Sequence, residues 1–169
     1  MNSVPNFVTL PTPEDYKKYY VEKYCKRGLQ TFDGIKVKFY EDQFEHAFYE
    51  SSNKIKRNKD VFSVDRALRI DWIEYVLKNP KAELHLGWDR DKKRYNKDRR
   101  VAIISPEDYV VIIRINSNNT AKFITAYYAD NSASEIRNMP LWSWFQLFFY
   151  IKKPLLTGAT VKASISPRL

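Results

Sequence analysis

Three runs of β-branched and aromatic residues, 99–105, 109–115 and 120–128, succeed one another with only Ser105-Pro106-Glu107-Asp108 and Asn116-Ser117-Asn118-Asn119 between them. Both connections have tight-turn composition, so the runs can only close as consecutive hairpins, and the sheet they build is antiparallel. Pairing Ser105 with Asp108 and Asn116 with Asn119 predicts the register: Arg99 opposite Arg114, and Arg114 opposite Ala121. Side chains alternate along a strand, so one face then carries Arg99, Val101, Val110, Ile112, Arg114, Phe123, Thr125 and Tyr127. The other carries Arg100, Ile104, Val111, Ile113, Lys122 and Ile124; a one-residue slip would exchange Arg99 for Arg100.

Helices precede this meander. Thr12 can cap a helix that Pro13, Glu14 and Asp15 suit at its positive end, and Gly28 closes it. Tyr16, Tyr19, Tyr20 and Tyr24 recur along it at helical spacing, a stripe that suits packing or the stacking of bases. After Asp33-Gly34, alternation of Ile35, Val37 and Phe39 with Lys36, Lys38 and Tyr40 predicts a half-buried strand. A short helix follows with Asp42 and Glu45 at capping-box spacing and Phe44, Ala47 and Phe48 as its apolar stripe. Ser63 or Asp65 opens another, which runs through Ala67, Ile70, Ile73 and Leu77 to Pro80. A short strand at 84–86 precedes the meander, and a polar loop after Asp130-Asn131 leads to the apolar run 141–151, read as a helix over about 140–152. The expected architecture is α+β in one domain, 1–169: helices over about 12–80 packed on a largely antiparallel sheet of four to five strands, the strand meander spanning about 82–130, and a C-terminal apolar helix.

A chain of 169 residues with 44% hydrophobic residues can bury a core of its own. The lone Cys25 forms no internal disulfide, and the start MNSVPNFVTLP has neither a basic leader nor an apolar run, which predicts a reducing, cytoplasmic setting. The run 141–151 is about half of the ~20 residues a membrane crossing needs, so no membrane association is expected. The net charge of +9 favours polyanionic partners. It is concentrated in 89–100 (DRDKKRYNKDRR) and 54–59, so Lys54, Lys56, Arg57, Lys93, Arg94, Tyr95 and Arg100 are candidate nucleic-acid contacts, although such runs also serve as solvated connections.

Glycine-rich phosphate loops and a GxSxG elbow are absent, and one cysteine with two distant histidines gives no zinc-like cluster, so no metal or small-molecule cofactor is expected. Metal-free RNA cleavage asks for less: a base beside the 2′-hydroxyl, an acid for the leaving oxygen and fixed positive charge around the developing phosphorane. His46 is read in the first turns of its helix, whose positive end would keep the imidazole neutral and basic; alternatively it is a half-buried helix histidine satisfied by Asp42 or Tyr49. Arg99, Arg114, Thr125 and Tyr127, sharing one sheet face, can clamp phosphate, donate to a nonbridging oxygen and stack or give up a proton; a polar cluster at a sheet rim has the same composition.

The order of strand, histidine-bearing helix (Phe44-Glu45-His46-Ala47-Phe48), further helix, Arg99-Arg100 strand and a strand ending Lys122-Phe123-Ile124-Thr125-Ala126-Tyr127 resembles the barnase, EndoU, colicin and RelE-like nuclease superfamily, particularly its phage-associated members, over residues 35–130. The resemblance implies a metal-independent endoribonuclease, often a toxin, that cleaves RNA by 2′-hydroxyl attack to leave a cyclic phosphate. By the same resemblance His46 acts as base or acid, Arg99 and Arg114 hold the phosphate, and Thr125 and Tyr127 orient or protonate it. The chain departs from the pattern in lacking a placed second histidine or lysine; His85 falls on a short strand of underived position. A toxin would have an antitoxin or inhibitor partner, with an acidic one the simplest match to the charge. Two other readings suit the same residues: a nucleic-acid-binding protein without catalysis, and a phage-related interaction module that seizes a partner through 141–151.

Overall fold

The computed structural model describes residues 3–52, 58–89, 91–104, 106–116 and 119–143. Helix α1 (Pro13–Tyr20) begins as the residues dictate, the Asp15 amide donating to the Thr12 hydroxyl at 3.2 Å. It runs on into a π-helical turn, Val21–Cys25, until Gly28, at φ +66°, ends it, its amide donating a hydrogen bond to the Tyr24 carbonyl at 2.8 Å. The tyrosine stripe is packing: Tyr16, Tyr20 and Tyr24 are buried. Tyr20 meets the rings of Tyr24, Phe39, Phe44, Phe48 and Phe123 at centroid separations between 5.6 and 6.3 Å. Removing an aromatic ring from such a cluster costs about 3–5 kcal/mol.

Strands β1 (Leu29–Gln30) and β2 (Lys36–Lys38) form a small hairpin at the sheet edge. Helix α2 (Gln43–Phe48) follows, burying Phe44, Ala47 and Phe48, and a two-stranded ribbon, β3 (Tyr49–Glu50) with β4 (Val61–Phe62), leads to α3 (Val64–Leu68) and α4 (Trp72–Lys78). The single helix expected from Ser63 to Pro80 is therefore two, because the chain turns at 69–71 to bring Ala67 and Ile70 with Ile73, Val76 and Leu77 into one core. Neither Asp42 nor Ser63 makes a side-chain cap; the Ser63 hydroxyl instead donates to Glu50 at 2.8 Å.

The main sheet has six strands in the order β1-β2-β8-β7-β6-β5, formed with β5 (Glu83–Asp89), β6 (Arg94–Ile104), β7 (Tyr109–Ile115) and β8 (Thr120–Tyr128). It exceeds the expected four to five because the two-residue β1 adds an edge. All pairings are antiparallel except β2 with β8. Helices α1 to α4 pack on one face, where Ala102, Ile104, Tyr109, Val111, Ile113, Ala121, Phe123 and Ala126 complete the larger core. The opposite face holds a smaller one, Val101, Ile103, Val110 and Ile112, covered by Ala129, Ala133 and Ile136. Ala133 and Ile136 belong to a segment read from sequence as a polar loop; it is helix α5 (Ala133–Arg137), entered through a 3₁₀ turn (Asp130–Ser132), and its apolar positions are too few to give a periodic signal.

Of the C-terminal helix expected over 140–152, residues 144–152 lie outside the described residues. The described part is extended instead: Leu141 bridges His85 as an added strand, the Leu86 and Trp142 amides donate to Pro140 and Leu84 carbonyls at 2.8 and 2.9 Å, and Trp142 is buried. Among the described residues no helix is long and apolar enough to cross a membrane.

Candidate nucleic-acid site on the open sheet face

Turn chemistry at Asp108, with φ +51°, sets β6 against β7 in the expected register, Arg99 opposite Arg114 and Val101 opposite Ile112. The β7–β8 hairpin departs from expectation: Arg114 pairs with Lys122, not Ala121, and a bulge beside Ile112 and Ile113 shifts the register again before Thr125. The bulge re-aims side chains. Before the bulge Phe123 turns into the helix-covered core and Lys122 joins Arg99 and Arg114; beyond it Thr125 and Tyr127 return to their expected face, but opposite Ile112 and Val110, not Val110 and Asp108. The Phe123 and Lys122 assignments are thus reversed, because the turn closes Asn116 on Thr120 and not on Asn119, one residue later than its composition suggests.

The open face is divided. Its far end is the apolar patch under α5; its near end is a rung of three cations, Arg99, Arg114 and Lys122, on adjacent strands. Like charges directly opposite one another oppose folding. Among the described residues Arg114 and Lys122 enter no ion pair within 4.0 Å, and Lys122 instead lies over the Tyr40 ring at 4.9 Å. The aliphatic stem of Arg99 lies across Gly87, where a Cβ would collide with it, and its Nη1 approaches the Trp88 carbonyl at 3.5 Å. Only glycine at 87 lets this arginine lie down along the sheet.

Strand β2 covers β8 only at 120–122, so the rest of the β8 edge is free for α2, and Gln43 donates its amide to the exposed Ile124 carbonyl at 2.7 Å. This places His46 beside the cationic rung. Burial of one flank, then the positive fields of Lys59, Arg66, Arg99 and Lys122, hold its imidazole below the ordinary histidine range, while the side chain stays reachable from solvent. The cause differs from the one expected: α2 is only six residues long and His46 lies in its last turn, so the helix end does not account for the neutral imidazole. Arg66, unremarked in the sequence, ties the site's rim together: it donates to the Ala47 carbonyl at 3.0 Å, pairs with Glu50 at 3.1 Å and faces the Tyr127 ring at 5.8 Å. No sequence signal singles out Arg66, and Lys59 and Lys122 carry none beyond a basic run and a strand motif; the part each plays beside His46 comes only from the path of the chain.

Arg100 stands apart. It is 1% exposed on the helix-covered face, bonded to Asp33 at 2.6 Å with the Trp142 ring at 5.0 Å, and so is built into the interior, not offered to a ligand. Lys93, Arg94 and Tyr95 are exposed at the far end of the β5–β6 hairpin. Lys54, Lys56 and Arg57 lie outside the described residues. His85 is buried on the open face beneath the 139–141 segment, opposite Val101, its Nδ1 at 3.0 Å from the Met139 carbonyl. Among the described residues no three of His, Cys, Asp and Glu converge as a metal site. A cavity of about 660 Å³ between Lys23, Arg27, Thr31, Phe32 and Lys78 contains none of the candidate residues, and two of its cations are already paired, Lys23 with Asp71 at 2.7 Å and Lys78 with Glu74 at 2.6 Å. Compared with known proteins, the chain matches no family model, no curated protein and no solved structure.

Proposed function

We propose that the chain is a metal-independent endoribonuclease that cleaves RNA on the open face of its sheet. The observation that carries this reading is the rung Arg99–Arg114–Lys122 beside a histidine held neutral. Arg114 and Lys122, directly opposite one another, repel, and a phosphodiester offsets that repulsion. His46 takes the proton from the 2′-hydroxyl as that oxygen attacks phosphorus; the bond from phosphorus to the 5′-oxygen breaks, leaving a 2′,3′-cyclic phosphate. Tyr127, with the Arg66 cation against its ring, protonates the departing oxygen, and Thr125 donates to a nonbridging oxygen. The rung stabilises the phosphorane charge where it develops.

This reading agrees with the resemblance to the barnase, EndoU, colicin and RelE-like nucleases and with a toxin-like role in the cytoplasm, held in check by an acidic inhibitor. The test is incubation of labelled RNA and DNA with protein in excess EDTA. Cleavage of RNA alone, ending in cyclic phosphate, is expected, with a loss of about 10²–10⁴-fold in His46→Ala at unchanged RNA affinity. Tight, salt-dependent binding without cleavage in wild type would establish the second reading, a binding protein, which the same cationic rung favours.

A further inference from the structure

We propose that the β5–β6 ribbon is an arm that grips single-stranded RNA, with Trp88 and Tyr95 as a base-stacking platform and Lys92, Lys93 and Arg94 as phosphate contacts. The proposal rests on the nucleic-acid reading of the adjoining sheet face, and goes beyond it by choosing unpaired over duplex RNA.

Within the sheet, β6 pairs with β7 only through 99–104, whereas Gly87, Trp88 and Asp89 pair with Asn96, Tyr95 and Arg94 alone, so the hairpin continues past the sheet as a two-stranded ribbon. Such a ribbon is marginal by itself. This one is pinned locally: Asp89 accepts from the Asp91 and Lys92 amides at 3.2 and 3.1 Å and from the Asn96 amide group at 3.2 Å, Lys93 takes the left-handed conformation at φ +46°, and Trp142 donates its indole N–H to the Lys97 carbonyl at 2.9 Å.

At its end Trp88 and Tyr95 stand edge to face, with ring centroids 5.2 Å apart, yet remain 43% and 41% exposed. A cross-strand aromatic pair stabilises a hairpin by itself; the charges around this one point further. Lys92, Lys93 and Arg94 enter no ion pair within 4.0 Å among the described residues. Aromatic rings flanked by unpaired cations are the combination that holds unpaired bases and the phosphates between them, and a duplex, with its bases stacked inside, cannot use the rings. The arm is also continuous with the sheet site, since the Trp88 carbonyl faces the Arg99 guanidinium.

The experiment measures the affinity of labelled 2′-O-methyl RNA, single-stranded and as a duplex, which no 2′-hydroxyl mechanism can cleave, for wild type, Trp88→Ala, Trp88→Phe and Lys93→Ser/Arg94→Ser, with circular dichroism checking the fold. The expected result is tighter binding of the single strand, weakened roughly ten- to a hundredfold in Trp88→Ala, mostly kept in Trp88→Phe, and unchanged for the duplex. The double variant should weaken both and flatten the salt dependence by about two counterions. Equal weakening of both forms by Trp88→Ala, or none, overturns the arm. If the arm behaves as expected while His46→Ala still cleaves, the catalytic assignment fails and the arm stands; if cleavage depends on His46 but binding ignores Trp88, the reverse holds.

Discussion

Arg99 and Arg100 are consecutive residues of one strand, and the sheet assigns them to opposite environments. Arg100 enters the helix-covered face, where Asp33 and the Trp142 ring enclose it; Arg99 lies on the open face over Gly87, in line with Arg114 and Lys122. A buried guanidinium stays charged, so it must be matched by protein. The open face instead sets Arg99 beside Arg114 and Lys122, where an anion can reach them from outside. The comparison separates what holds the fold from what is offered to a partner, and it can be broken residue by residue.

The largest effect is expected from Arg100→Met, which leaves the Asp33 carboxylate without its partner and should cost about 3–5 kcal/mol in urea unfolding. Arg99→Met should stay within about 0.5 kcal/mol of wild type and instead lose RNA affinity. Equal stability losses would mean that both arginines belong to the interior. The pair also has a pH signature. Burial pushes the Asp33 carboxyl up, but the Thr31 hydroxyl bond and then the Arg100 charge outweigh it and leave Asp33 below the ordinary carboxylate range. A carboxyl depressed in the folded state stabilises above its unfolded value and loses that contribution as pH falls through its folded value. Asp33→Asn should therefore flatten the acid side of the stability profile.

A smaller effect is expected at the rung. Lys122 is one of the cations that disfavour protonation of His46, so Lys122→Met should raise the imidazole's pKa and move the acid limb of cleavage to higher pH. Proton NMR titration of the His46 imidazole checks this directly. The least change should come from Gly87→Ala, where the added methyl displaces the Arg99 stem: cleavage falls while unfolding stays within about 1 kcal/mol.

Local signals made much of this legible. The Thr12 cap, the aromatic stripes and the first hairpin register could be read because each depends on neighbours in sequence. The second hairpin could not, since its turn closes one residue later than expected, which exchanges Phe123 with Lys122, and a bulge beyond then returns Thr125 to its face; no composition marks either. Of the candidate site, His46, Arg99, Arg114, Thr125 and Tyr127 were visible by residue type. Arg66 and Lys59 were not, for lysine and arginine on a surface look alike until the chain path shows which face a histidine.

By itself, then, the sequence determined an α+β chain with an antiparallel meander, an aromatic core and a strong positive charge, because periodicity, turn residues and composition act over short range. Tertiary structure decided which arginine is buried, which cations line up and why His46 stays neutral. Those properties depend on side chains from β6, β7, β8, α2 and α3 meeting across the fold, and electrostatic fields respond to distance in space, not along the chain.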